Sequence, residues 1–277
     1  MKVVVPMAGF GDRFIKAGYK DPKPLIEING KRIIEYVVEM FDRENDEFVF
    51  ICNETHIAET NMSDVLKSLV NKCTILTCPP HKMGPVYTLS KAFALINDDE
   101  PIIVSYCDNP FVWNYNHFKD FATSTNSDGI ILTHRGAHPH SLNSTKMAFC
   151  KTEGDDLIEI KEKECYTNNH LQEHASTGMY YFKSGKILKK YCNELMDLDI
   201  NYNGEYYVTL VYNLLVRDKL KVKVYDSNDV VFVFGTPEEV ASFKAWKAII
   251  DGGQLNSGEY NVIKIYRYWK DYYDKQQ

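Results

Sequence analysis

Along the first 135 or so residues, short runs of β-branched and aromatic residues alternate with stretches whose apolar positions recur every three or four residues. Val3-Val4-Val5 is such a run, and it closes at Ala8-Gly9-Phe10-Gly11. A buried first strand leading into a glycine loop follows from that pattern. Leu25-Ile26-Glu27-Ile28 ends at the tight-turn pair Asn29-Gly30, after which Ile33, Ile34, Val37, Val38 and Phe41 share one helical face. Strands are predicted at Phe48–Cys52, Cys73–Thr77, Ile102–Tyr106 and Gly129–Leu132, with helices over Ile57–Val70, Val86–Ile96 and Phe118–Ser124 between them. Strands separated by helices predict an α/β fold: a doubly wound, mostly parallel sheet.

Beyond that point the rhythm changes. His134–Thr145 is polar and reads as a loop, and Ala148–Ile160 reads as a hairpin turning at Glu153-Gly154-Asp155. Strands are predicted at Met179–Phe182, Lys221–Tyr225 and Val230–Phe234, with helices over Tyr206–Val216 and Pro237–Ile249. No repeat interrupts the chain, and the first break is Asp251-Gly252-Gly253. This predicts one domain over residues 1–250 and a short helical tail over 251–277. In the tail Val262, Ile265, Tyr266, Trp269, Tyr272 and Tyr273 form an aromatic stripe. Such a stripe packs on the parent domain or forms a homo-oligomer interface.

The chain has 277 residues, of which 44% are hydrophobic and 25% charged, so it can bury a sizeable core. Its net charge of −6 disfavours nucleic acid as a partner. Phosphates would need cations gathered locally. The seven cysteines are odd in number and form no CxxC pair, which argues against a zinc site or a disulfide framework. Met1–Gly9 is too short for a signal-peptide core, and no stretch reaches the ~20 apolar residues of a membrane span. A cytoplasmic location is expected.

The glycine loop is the first candidate for chemistry. Gly9 and Gly11 follow a strand, where exposed backbone N–H groups can meet a polyphosphate, and Arg13 and Lys23 lie just behind. Phe14 stands where a dinucleotide fingerprint needs glycine, and no Gly-Lys-Ser/Thr of a P-loop is present. By spacing alone the glycines fit a phosphate cradle or a plain turn. His138-Pro139-His140 and the pair His170/His174 could suggest metal ligands. Their polar, loop-like settings instead predict solvent-facing side chains for the first and a loop for the second.

The longer string is more specific. It runs Pro6-Met7-Ala8-Gly9-Phe10-Gly11-Asp12-Arg13-Phe14, then Gly18-Tyr19, then Asp21-Pro22-Lys23-Pro24-Leu25-Ile26, then Asn29-Gly30-Lys31. This resembles the signature of the sugar-phosphate nucleotidyltransferases, or NDP-sugar pyrophosphorylases, in the branch common to capsule and surface-polysaccharide biosynthesis. The likeness extends through Gly84, Asp108, Glu162-Lys163, Ser176–Tyr180, Gly204–Tyr207 and Gly235-Thr236-Pro237-Glu238. It implies a Rossmann-like nucleotidyltransferase fold with a nucleotide-binding half over 1–110 and an acceptor-binding β subregion within 111–250.

The same resemblance implies an enzyme that moves an NMP from CTP, UTP or dTTP to a sugar 1-phosphate and releases pyrophosphate. Arg13, Lys23 and Asp108 would be its catalytic residues, with Asp108 the ligand of a Mg²⁺ cofactor. Ala8, Gly9, Phe10, Gly11 and Gly84 would hold the nucleotide, and Glu162, Lys163 and Gly178 the acceptor. Tyr166, Asn168, His170 and His174 would then tune acceptor choice. The sequence departs from the pattern in three places. Val233 stands where related enzymes carry a second metal aspartate, Asp12 replaces a common Ser or Thr, and Arg32 replaces the proline of Gly-Lys-Pro. Three other readings are compatible with parts of this pattern. One is a cytidylyltransferase acting on a phosphorylated amino acid or alcohol. Another is a non-catalytic regulator that binds nucleotide sugars. The third is a glycosyltransferase of related nucleotide-binding fold, which the Arg13/Lys23 loop disfavours.

Overall fold

A computed structural model describes residues 1–136, 138, 140–141, 146–226 and 231–250, with only the backbone for 246 and 248–250. The tail 251–277, and with it the predicted aromatic stripe, lies outside the described residues, as do Asp229 and Val230.

One nine-stranded sheet runs through the molecule. Its strands are β1 (Lys2–Met7), β4 (Glu47–Asn53), β5 (Cys73–Cys78), β6 (Ile102–Ser105), β7 (Gly129–His134), β8 (Ala148–Glu153), β9 (Asp156–Glu162), β10 (His174–Phe182) and β11 (Val222–Asp226). Their spatial order is β5-β4-β1-β6-β10-β7-β11-β9-β8. β5, β4, β1 and β6 are parallel, and β1 is buried along its whole length, which explains its unbroken apolar run. β10 then pairs antiparallel with both β6 and β7, so the second half is mixed. A small hairpin of β2 (Glu27–Ile28) and β3 (Lys31–Arg32) turns at Asn29-Gly30, both at positive φ.

The helices are α1 (Asp12–Lys16), α2 (Ile33–Val38), α3 (Glu54–Glu59), α4 (Met62–Leu69), α5 (Gly84–Ser90), α6 (Tyr115–Thr125), α7 (Gly185–Asp197), α8 (Val208–Arg217) and α9 (Pro237–Ile250). They sheathe two large apolar clusters, one on each face of the sheet. A third, smaller core joins Phe14, Ile26, Ile28 and Ile33 to Phe234 and Val240. It ties the segments that follow the glycine loop to the start of α9.

Several elements differ from the sequence reading. The helix predicted over Val86–Ile96 is α5, which ends at Ser90, followed by a 3₁₀ turn over Phe93–Leu95. The single helix predicted over 57–70 is two, because Thr60 is extended and breaks the run. Helix α7 is not evident in the sequence pattern. Ser184 caps it through the Ile187 N–H, and it buries Leu188, Tyr191, Cys192 and Leu195 at helical spacing, but its lysines obscure the pattern. The strand predicted over 230–234 is not a strand among its described residues. Val231 makes one isolated bridge with Phe111, and the Phe232 and Phe234 N–H groups donate to the Pro110 and Asp108 carbonyls. All seven cysteines are free, and five are buried, as small apolar fillers.

Candidate active site

The site forms at the carboxyl ends of β1 and β6, where an open α/β sheet gathers ligands. After β1 the chain passes through buried Ala8 and open Gly9 to Gly11, whose φ of +72° suits glycine. The Gly11 carbonyl accepts the Phe14 N–H at 2.9 Å and so starts α1. Phe14 is fully buried edge-on against Tyr19, which is why no third glycine stands there.

Pro22 and Pro24 set Lys23 at the start of a short 3₁₀ turn, with its Cβ 3.7 Å from the point a Gly11 Cβ would occupy. From there the Lys23 ammonium reaches Asp108 Oδ2 at 2.5 Å. Burial alone would lower the Lys23 pKa, but the charge and hydrogen bond of Asp108 outweigh it and the net shift is upward. Arg13 is exposed, and its charge acts weakly on both Lys23 and Tyr207. Two neighbours went unremarked in the sequence. Lys82 pairs with Asp12 at 3.3 Å and lies over the Phe10 ring at 5.7 Å, which adds a cation beside the glycine loop. Glu239, in the first turn of α9, sits near Asp108, and burial first and the Asp108 charge second raise its pKa.

Across the site, Lys163 follows β9 at a positive φ of 59° and donates from its ammonium to the Tyr207 hydroxyl at 2.7 Å. The ammonium also lies 4.4 Å from the Tyr207 ring centre and 4.8 Å from that of Tyr202. Buried Glu162 accepts from the Thr209 hydroxyl at 2.7 Å and stands 4.0 Å from the Lys163 ammonium. Burial raises its pKa, with Thr209 and Lys163 opposing. Gly178, at φ +82°, opens a bulge in β10; a Cβ there would lie 2.6 Å from Asn109 Nδ2 and 3.1 Å from the Tyr106 ring. Gly84 is held closely too: its Cβ would meet the Tyr206 backbone at 2.7 Å. The segment 202–207 therefore touches Gly84 on one side and Lys163 on the other. The sequence pattern pointed to Gly204–Tyr207 without a role; that the loop spans both halves is a tertiary fact.

Two of the histidines are placed differently from expectation. His138 and His140 are not solvent-facing. Their rings lie 4.6 and 5.0 Å from that of buried His134. His170 bonds the Ser141 carbonyl at 2.8 Å, and His174, the first residue of β10, bonds the Thr133 hydroxyl of β7 at 2.9 Å. Among the described residues no three His, Cys, Asp or Glu side chains converge as a metal cage. The donors at Asp108 and Glu239 are hard carboxylate oxygens, and Glu239 Oε2 is buried without a hydrogen-bond partner. That set fits Mg²⁺, which takes one or two carboxylates and leaves the rest to phosphates and water.

A Rossmann-like sheet with a glycine loop, a lysine–aspartate pair and a caged lysine opposite defines the nucleotidyltransferase class. Residues 3–165 match the family described as MobA-like NTP transferase domain, more than half of the chain, and the chain belongs to that family. The bifunctional protein GlmU of Clostridioides difficile (strain 630) is 24% identical over 249 residues, which are 88% of this chain. The chain spans about half the length (50%) of that relative. The nucleoside-diphosphate-sugar pyrophosphorylase of Vibrio cholerae RC9 superposes with a TM-score of 0.70 at 23% identity, covering 87% of this chain and 99% of its own. The inositol-1-phosphate CTP transferase of T. maritima gives 0.63 at 14% identity, covering 96% and 95%. At these identities the structural likeness establishes the fold. No helix among the described residues is long and apolar enough to cross a membrane.

Proposed function

We propose that the protein transfers an NMP from CTP, UTP or dTTP to a phosphorylated small acceptor, a sugar 1-phosphate by first choice, with release of pyrophosphate. Cytoplasmic synthesis of a surface-polysaccharide precursor is the setting this reading gives it. The observation that carries it is a pair of lysines, each held by a partner: Lys23 bonded to Asp108 behind the glycine loop, and Lys163 bonded to Tyr207, whose neighbour Tyr206 packs on Gly84. The acceptor phosphate is already anionic, so the reaction needs alignment and charge neutralisation more than a general base.

Each residue has a place in that scheme. Backbone N–H groups from Ala8 to Gly11 face the nucleotide phosphates, with Gly84 lying by the base. Arg13 and Lys82 offset charge on the departing pyrophosphate. Lys23 draws the α-phosphate and the acceptor phosphate together once it lets go of Asp108. Lys163 receives the acceptor phosphate, Glu162 fixes its ammonium, and Gly178, whose missing side chain admits Asn109, lets that amide stand on the acceptor side. Asp108 would hold Mg²⁺, which when bound neutralises and orients the nucleotide phosphates.

A cytidylyltransferase acting on a non-sugar phosphate is supported by one observation, the shared fold of the inositol-1-phosphate CTP transferase. Pyrophosphate release measured over a panel of NTPs and acceptor phosphates separates the two readings. One NTP–acceptor pair should exceed the others by orders of magnitude. No release with any pair would reject the enzyme reading in favour of a nucleotide-sugar-binding regulator.

A further inference from the structure

Val233 stands where the resemblance to the sugar-phosphate nucleotidyltransferases implies a second metal aspartate. The structure brings another carboxylate to the place. The Phe234 N–H donates to the Asp108 carbonyl at 2.7 Å, which pins this segment beside Asp108. The chain then turns through Gly235-Thr236 into α9, and the Glu239 N–H donates to Thr236 Oγ1 at 3.2 Å, fixing the first turn. In that turn the Glu239 side chain folds back over Gly235. A Cβ on Gly235 would lie 3.2 Å from Glu239 Oε2, 3.6 Å from Asp108 Oδ2 and 3.7 Å from Val233 Cγ1. Two carboxylates thus face one small space, floored by a glycine and walled by the valine.

Helix capping is the competing explanation for Glu239. Hydrogen bonds from Thr236 and Gly235 do engage its carboxylate, yet Oε2 is buried with no partner. A buried carboxylate oxygen without a donor is costly, and more so beside a second carboxylate. Lys23 satisfies Asp108 and leaves Glu239 Oε2 unmatched. A cation between the two carboxylates would remove both costs.

We propose that Glu239 is the second protein ligand of the divalent cation, taking over from the absent aspartate at 233 and acting with Asp108. The inference rests on the nucleotidyltransferase reading for its metal, but its test reads binding rather than turnover. Mn²⁺ is the probe, titrated into the full chain and followed by electron paramagnetic resonance and by the rise in melting temperature. Glu239→Gln should weaken Mn²⁺ binding by at least ~10-fold, the smaller end of what supporting groups at metal sites contribute, and lose most of the Mn²⁺-induced thermal rise. Val233→Asp added to Glu239→Gln should restore both. Glu239→Gln with the affinity of the unaltered chain overturns the proposal. If Glu239→Gln does not fold, Val233→Asp alone decides: a third carboxylate at a genuine site tightens Mn²⁺ several-fold, and unchanged affinity overturns the proposal. An unaltered chain that releases no pyrophosphate rejects the functional reading alone, whereas an active chain with an Mn²⁺-indifferent Glu239→Gln rejects this inference alone.

Discussion

Lys23 and His140 show what single residues contribute here. The Lys23 ammonium bonds Asp108 directly, so Lys23→Ala removes the cation that this carboxylate holds behind the glycine loop. Turnover should fall at least ~10²-fold, the scale for losing a preorganised charge contact. Steady-state kinetics on folded protein checks this, and unchanged turnover would place the chemistry elsewhere. His140 acts on stability instead. Burial first, and the charge of His138 second, lower its pKa from 6.5 to about 3, against an opposing bond with Val231. The unfolded chain therefore binds a proton near pH 6.5 that the folded chain refuses. The stability tied to His140 is full above pH 6.5 and is lost as the pH falls. By pH 5.5 the loss is about 1.4 kcal/mol, one unit of proton linkage. His134 shifts the same way, through burial and then its two histidine neighbours. Urea midpoints at pH 7.5 and 5.5 should show this loss, and His140→Gln should reduce it. Parallel behaviour of the two proteins would mean that His140 titrates freely.

At the scale of elements, the site depends on segments held at close range by glycines. Helix α5 begins at Gly84, with φ +83°, against the backbone of Tyr206, and the Tyr206 N–H donates to the Met83 carbonyl at 2.9 Å. Gly84→Ala combines a backbone conformation that disfavours a side chain with a 2.7 Å clash against a backbone nitrogen. A loss of about 2 kcal/mol or more is expected, from strain and forced separation together. The urea midpoint should fall, and KM values for both NTP and acceptor should rise, because the 202–207 segment touches both sides. A fall in stability with both KM values intact would make Gly84 a packing residue only. The bulge of β10 at Gly178 is the corresponding device on the acceptor side, where the missing side chain admits Asn109.

For the whole molecule, the third small core matters as much as the sheet, since it ties Phe14 and the 26–33 segment to Phe234 and Val240. The C-terminal tail lies beyond the described residues, and its aromatic periodicity carries a separate expectation. Removing residues after Gly253 should change the mass seen in light scattering or lower the melting temperature. No change in either would leave that stripe without a structural role. The sequence by itself determined the parallel half of the sheet, the glycine loop and the identity of the basic and acidic residues around it. Those features are local: a strand buried on both faces must be an apolar run, and a tight loop must carry its own glycines. Helix α7 escaped because its polar face outweighs four buried positions, and the 231–234 segment misled because apolar burial beside Asp108 resembles a strand in sequence. Only the tertiary structure decided that Lys23 meets Asp108 across 85 residues, that Tyr202 and Tyr207 cage Lys163, and that Glu239 faces Asp108. Such contacts depend on how distant segments pack, and a one-dimensional pattern records which groups are available but not which of them meet.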